Sequence, residues 1–315
     1  MNDLSAISER TNLSKCPVCA ANNMKTWRAV KEWNLDKCGC CGMIFANPMP
    51  SDKALQAAYN LKGKEYNDFF KADYLDTPKV LNGSAEWQFQ VSDRCLATIE
   101  KSSKNKGRIL DIGCGSGVFL EAAQKRGWQT TGIDPGDWCA NLERDRQLNI
   151  IRCPLFNAKL EKESFDVIYM GSVLEHLQDP QAYVSAIHTL LKPGGMVFIT
   201  GLPNVNSFTI RLGIDRWIGN HPPIHLLYFS RKTVGLLLKK HGFKHIKVKS
   251  FGIPETILEM IFNRKGEKYS GSYAEYVHKP SLKGKLTRIT RSAVYKILDL
   301  TGVGSVLELH AKKSL

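Results

Sequence analysis

Nowhere does this sequence run apolar for anything near the roughly 18 residues that a membrane-spanning helix requires. Val234 to Leu238 is among its longest apolar stretches. Its first residues, MNDLSAISERTNLSKC, lack the apolar core of a signal peptide. Together these absences predict a cytoplasmic chain with reduced thiols. Internal repeats are missing too. Acidic residues are the scarcer charge, 30 Asp and Glu against 44 Lys and Arg, a formal net charge of +14. What is present is ordinary globular material: 43% hydrophobic and 23% charged residues exclude a mainly disordered or collagen-like chain. At 315 residues the length suggests about two domains. A chain of this size buries roughly three quarters of its unfolded surface and needs no disulfide staples.

The positive charge is unevenly placed. From Arg231 to Leu315 there are 18 Lys and Arg against 6 Asp and Glu, while the preceding 230 residues are close to balanced. The excess therefore belongs to the last quarter of the chain. Such a region can meet nucleic acid, an anionic membrane surface or a phosphorylated substrate, or simply keep the protein soluble.

Five of the nine cysteines fall within the first 41 residues. Cys16-Pro-Val-Cys19 and Cys38-Gly-Cys-Cys41 form two C-x-x-C pairs separated by an 18-residue spacer. Each pair can present two thiolates from one tight turn, and two such turns complete a tetrahedral zinc shell. Cys40 is a spare that can replace Cys38 or Cys41. Four thiolates leave no open coordination position, so a zinc ion here is read as structural.

Residues 1–15 read as a polar, disordered lead, 16–50 as the zinc-binding module, 51–105 as a helical cap and linker, and 106–315 as the main domain, with insertions at 202–229 and 252–302. Gly42 to Pro50 reads as a short strand leaving through two prolines, and Ser51 to Phe70 as a helix. Glu86 to Lys101 is a further helix, with Trp87, Val91, Cys95, Leu96 and Ile99 on one side. From Arg108 onward strand and helix alternate. Strands are expected at 108–112, 129–133, 150–151, 165–170, 196–200, 243–250 and 306–311, and helices at 118–126, 138–147, 180–191 and 233–241. That alternation implies βαβ units and a parallel sheet.

Between the first of these strands and its helix lies Asp111-Ile-Gly-Cys-Gly-Ser-Gly117. Gly113 and Gly115 let the backbone turn sharply and approach a ligand. The spacing is G-x-G-x-G, shorter than the dinucleotide fingerprint, and Asp111 would repel a pyrophosphate. Asp134 ends the next strand, 23 residues after Asp111, where a carboxylate can accept from both hydroxyls of a ribose or can cap the following helix.

These motifs, with Ser164-Phe-Asp-Val-Ile168, Val173-Leu-Glu-His-Leu177 and Leu191-Lys-Pro-Gly-Gly195, resemble the class I S-adenosylmethionine-dependent methyltransferases from about residue 106 to 251 and in the final strand. The resemblance implies an α/β fold, a doubly wound and mostly parallel seven-stranded sheet of Rossmann-like type, here with a small zinc-ribbon-like module at its N-terminus. It also implies that Asp111, Gly113, Cys114 and Gly115 lie beside the methionine part of S-adenosylmethionine. Asp134 would hold the ribose, Leu155 and Phe156 would lie near the adenine, and Met170 and Gly171 would reach the cofactor through the backbone. Where many members place an acidic residue against the adenine amine, this chain has Cys153-Pro154-Leu155. The cysteine pattern with Asn47-Pro48-Met49-Pro50 and the segment HLLYFS, His225 to Ser230, looks like a bacterial subgroup linked to sugars, surface polysaccharides or small metabolites. The expected activity is therefore methyl transfer to a sugar, polysaccharide precursor or small metabolite, at oxygen. The alternative is an RNA methyltransferase that uses the zinc module and basic tail as grips.

Transfer to a hydroxyl calls for a proton acceptor. His176 sits just past the fourth strand of the main domain, where open α/β sheets bind ligands, and reads either as that base or as a structural histidine bonded to Glu175 or a carbonyl. Some quinone-pathway O-methyltransferases bind a metal through a second acidic residue three places before that Glu, where this chain has Ser172. In the insertion 202–229, His225 and His221 are the other candidate bases, and Trp217 and Tyr228 can stack on an acceptor ring. Tyr59 and Tyr66 are read as helix packing or as a cover on the cofactor. Leu282, Leu286, Ile289, Ala293, Ile297 and Leu300 form the stripe of an amphipathic helix with lysines and arginines on its other faces. Such a helix can pack on the protein or lie on an anionic membrane, which would set the chain at the membrane's inner face.

Overall fold

The structure is a computed structural model that describes residues 9–30, 33–51, 53–55, 78–103, 106–136, 146–211, 222, 225–252 and 296–315, with the side chains of all of these but 78–87 and 209. Seven strands form the main sheet: β6 (Arg108–Ile112), β7 (Gln129–Ile133), β8 (Ile150–Ile151), β9 (Phe165–Gly171), β10 (Leu191–Pro203), β12 (Phe243–Phe251) and β13 (Val306–Lys313). Their order across the sheet is β12-β13-β10-β9-β6-β7-β8. The β10-β9-β6-β7-β8 pairings are parallel, and β13 enters antiparallel between β10 and β12. The seven-stranded, mostly parallel sheet expected from the sequence is thus present.

Four helices accompany it among the described residues of eight residues or more: α1 (Pro78–Ser102), α2 (Val118–Lys125), α3 (Pro180–Leu190) and α4 (Arg231–Lys240). Local chemistry sets their starts. Asp179 caps α3, its side chain accepting from Ala182 N–H at 2.9 Å, and Pro180 follows at the first turn. Ser230 caps α4 through a reciprocal pair with Thr233, so that helix begins two residues before the sequence pattern suggests. Helix α1 begins eight residues earlier than expected. β10 starts at Leu191, directly after α3, because the Lys-Pro-Gly-Gly turn is absorbed as a register shift between Leu191 and Met196.

The chain walks outward from β6 through β7 to β8, then returns to β9 on the other side of β6. That reversal opens a crevice beyond the carboxyl ends of β6 and β9, the place where open α/β sheets take ligands. β6 buries all of its residues but Arg108, as a strand covered on both faces must.

The spacer between the two cysteine pairs folds as an antiparallel hairpin, β2 (Met24–Val30) with β3 (Trp33–Cys38). β3 alternates buried and exposed side chains, burying Trp33, Leu35 and Cys38. β4 (Ile44–Ala46) continues that sheet, and β11 (Leu227–Tyr228), nearly two hundred residues later, is its fourth strand. Two further residues, β5 (Met49–Pro50), pair with β1 (Arg10–Thr11). The sequence suggested one strand over Gly42 to Pro50. The structure divides it, since Asn47 and Pro48 interrupt the ladder. One continuous set of buried side chains runs from Cys16, Met43 and Phe45 through Leu227 and Phe229 to Ile112, Met170 and Leu174.

No helix among the described residues is long and apolar enough to cross a membrane. Most of the expected helix 51–70 with Tyr59 and Tyr66, the helix around Trp138, Trp217 and His221, the side chain of Trp87 and the amphipathic stripe up to Ala293 lie outside the described residues. Ile297 and Leu300, at the end of that stripe, are exposed on a helical turn.

Candidate active site

β6 delivers Asp111 to the crevice and ends at Ile112, and the chain then turns through Gly113 to Gly117 into α2. Gly113 has φ +75°, and a Cβ there would lie 2.5 Å from a methyl of Val173. Only glycine allows both that backbone angle and that approach of the loop after β9. The N–H groups of Gly113 and Cys114 both donate to Ile133 O, at 2.7 and 3.1 Å, and tie the turn to the end of β7. Asp134 follows Ile133. Its carboxylate accepts from Gly115 N–H at 2.9 Å and from Gly136 N–H at 2.8 Å, joining the first two strand-to-helix turns.

Asp111 and Asp134 are both buried, and Oδ1 of Asp111 has no hydrogen-bond partner among the described residues. Burial, and then the neighbouring Asp134 charge, holds the Asp111 carboxyl well above the usual carboxylate range. An unpartnered buried carboxylate beside a second one is relieved by a cation, so this wall fits an ammonium or a sulfonium and not a phosphate.

The other residues proposed from the sequence follow β8 or end β9. Leu155 opens a single 3-10 turn, Leu155–Asn157, and is buried; Phe156 beside it is exposed, edge-on to Tyr183 with ring centroids 4.9 Å apart. Met170 points into the core, and Gly171 ends β9, where a Cβ would sit 2.7 Å from the Tyr169 hydroxyl. Ser172 follows with φ +53°.

Just past it, Leu174–His176 forms another 3-10 turn. Nε2 of His176 is 3.8 Å from Oε1 of Glu175, and the His176 and His225 rings are 4.9 Å apart at 70°. The nitrogen and oxygen atoms of Glu175, His176 and His225 converge within 4.8 Å. Glu175 is 1% exposed, and its Oε2 has no partner among the described residues. Burial pushes its carboxyl up to about 8, so it carries its proton at neutral pH. The structure therefore brings together two histidines that the sequence offered as separate candidates, and adds a glutamate that sequence reasoning treated only as a neighbour of His176. Tyr228 differs from expectation. It is buried in β11, its hydroxyl donating to His225 O at 3.2 Å, so it cannot stack on an acceptor.

At the N-terminal end, Cys16, Cys19, Cys38 and Cys41 present their sulfurs within 4.8 Å of one another. Sγ–Sγ distances are 3.6 Å for Cys16–Cys41 and 3.5 Å for Cys19–Cys38, far beyond a disulfide bond and close to the edges of a thiolate tetrahedron around zinc. Val18 N–H reaches the Cys16 sulfur at 3.5 Å and Met43 N–H the Cys41 sulfur at 3.4 Å. Burial raises Cys16 to about 11 and raises Cys41. At Cys38 burial acts in the same sense but is outweighed by backbone hydrogen bonds from Cys41 and Cys40, which bring it to about 7. Cys40 is exposed and stands apart from the four.

Residues 85–248, just over half of the chain, match the family described as methyltransferase domain, and the chain belongs to that family. Its fold and family make it a class I S-adenosylmethionine-dependent methyltransferase. The ubiquinone biosynthesis O-methyltransferase of Stutzerimonas stutzeri (strain A1501) is 35% identical over 121 residues, 33% of this chain and 49% of that relative. The protein of the same name from Idiomarina loihiensis is 37% identical over 112 residues, 33% of this chain and 46% of its own. The chain spans about half the length of the curated relatives it matches. A solved S-adenosylmethionine-dependent methyltransferase from Archaeoglobus fulgidus superposes with a TM-score of 0.50 at 20% identity, over 79% of this chain and 98% of that one, a likeness of fold.

These relatives correct the expected acceptor. Their names specify O-methyl transfer in ubiquinone biosynthesis, which overturns the sugar or polysaccharide reading drawn from the cysteine pattern and HLLYFS and gives the RNA alternative no support. The misreading has a physical origin. Those motifs build the cysteine module and its junction with β11, not a set of groups shaped to an acceptor.

Proposed function

We propose that this chain transfers the methyl group of S-adenosylmethionine to the hydroxyl oxygen of a small molecule. The observation that carries this is the convergence of His176, His225 and buried Glu175 on the rim that also carries the glycine turn and Asp111. The bound cofactor supplies a methyl already activated on a sulfonium, so the protein's task is alignment, exclusion of water and removal of one proton. Asp111 faces the cofactor's ammonium group. Gly113, Cys114 and Gly115 lie along its methionine part, and Asp134, at the end of β7, accepts from the ribose hydroxyls. Leu155 lies against the adenine, and Met170 and Gly171 offer backbone groups. His176, or His225 beside it, takes the hydroxyl proton as the oxygen–carbon bond forms. Cys16, Cys19, Cys38 and Cys41 hold a structural zinc ion, a reading supported by their tetrahedral spacing and by the N–H groups that stabilise their thiolates.

The test is incubation with S-adenosylmethionine and a panel of hydroxylated aromatic and aliphatic small molecules, followed by mass spectrometry of the products. O-methylated product is expected. Replacing His176 and His225 with Ala should together lower turnover about a hundredfold or more, the usual share of a general base, with cofactor affinity retained. Full turnover in the double variant would remove both as bases, and a protein that binds neither S-adenosylmethionine nor S-adenosylhomocysteine would overturn the whole reading.

A further inference from the structure

The cysteine module and the histidine pair are joined through main chain. β4 begins three residues after Cys41 and pairs antiparallel with β11, Phe45 opposite Leu227 and Ile44 opposite Tyr228. Beyond the pair, Ala46 N–H donates to Leu226 O at 2.8 Å, and the N–H of Leu226 donates in turn to Glu175 O at 2.9 Å. His225 and His176 are the chain neighbours of those last two residues. A second tie runs from the side-chain amide of Gln178 to the carbonyl oxygen of Pro50. Met43, Phe45, Leu226, Leu227 and Leu174 share one buried core.

Neither histidine sits on an element able to fix it. His176 ends a three-residue 3-10 turn, and His225 precedes a two-residue strand. Pieces this short hold no geometry by themselves; their stability comes from what they pack against. On the other side of β11 is β4, hydrogen-bonded along its far edge to β3 and anchored at its start by the cysteine turn.

We propose that the four-cysteine module is the positioning element of the acceptor side: β4, held by the cysteine cluster and β3, sets His225 in register against His176 and Glu175. Its consequence for catalysis rests on the methyl-transfer reading above, while the positioning itself does not. Ala46 and Cys41 are then positioning residues that act through Leu226, and a displacement of about 1 Å at the histidines is enough to cost a hundredfold in rate.

The experiment is a cycle read by ring-nitrogen NMR of selectively labelled histidines in the full chain, with and without S-adenosylhomocysteine. Ala46→Pro removes the N–H that donates to Leu226 O. Cys41→Ser weakens the same support from the opposite end and serves where Ala46→Pro does not fold. In the otherwise native protein, His176→Gln shifts the His225 ring resonances. In either background variant that response is lost, while affinity for S-adenosylhomocysteine stays within about twofold, as for energetically separate sites. A His225 response that persists in both variants overturns the proposal. So does a parallel collapse of cofactor affinity, which would make the module a general prop of the fold. Failure of the native protein to bind S-adenosylhomocysteine counts against the methyl-transfer reading alone, because the histidine response is measured without ligand as well.

Discussion

Glu175 is the residue whose environment departs furthest from what its neighbours in sequence suggest. It is buried against the histidine pair with one carboxylate oxygen unpartnered among the described residues, and burial lifts it from the ordinary 4.5 to about 8. The folded value lies above the unfolded one, so folding favours the protonated form. That contribution is complete below about pH 4.5 and is lost as the pH rises through about 8. Glu175→Gln keeps the volume and removes the titration. Relative to the native protein the variant should gain about 1.4 kcal/mol for each pH unit between those limits and level off above them. Urea unfolding of both proteins from pH 4 to pH 9 checks it, and parallel stability curves would show that Glu175 ionises without penalty. Asp111, Gly113 and Asp134 were legible as candidates because their spacing follows one strand–helix–strand unit, β6 through α2 to the end of β7. Glu175 was not, because a glutamate beside a histidine reads the same whether it faces water or a core.

At the scale of elements, the two cysteine turns were legible from spacing, but the choice among Cys38, Cys40 and Cys41 was not. The folded second turn directs Cys38 and Cys41 inward and leaves Cys40 exposed. If the cluster holds zinc, Cys40→Ser should retain one zinc per chain, and Cys41→Ser should lose most of it and lower the unfolding midpoint. Metal analysis by mass spectrometry with a thermal scan decides this, and equal zinc content in the two variants would refute the ligand set. The hairpin β2–β3 and the strand β11 escaped the sequence for a different reason. β11 is two residues long, and its hydrogen-bonding partner is β4, more than half the chain away. Strand character of that kind is conferred by the neighbour and leaves no local periodicity to read. β9 was legible because a buried parallel strand is a near-continuous apolar run between turns, and β6 and β7 because each ends at a turn with its last residues buried.

At the scale of the whole molecule, cofactor binding and stability should be linked. S-adenosylhomocysteine at a hundred times its dissociation constant should raise the unfolding free energy by about 2.7 kcal/mol, provided only the folded chain binds it. NADH at the same concentration should do nothing, since the G-x-G-x-G turn and Asp111 oppose a pyrophosphate. Equal stabilisation by NADH would contradict the cofactor assignment. The sequence by itself determined the fold class, the place of the glycine turn and the two cysteine pairs. Each of these is written in short-range terms: alternating periodicity, glycines where the backbone must turn, and paired thiols a fixed step apart. Only the tertiary structure decided that the cysteine module shares a sheet with β11 and a core with the turn after β9, and that His176, His225 and Glu175 meet there. Those contacts join segments far apart in the chain, and their energy comes from burial and main-chain hydrogen bonds that exist only once the whole core has closed.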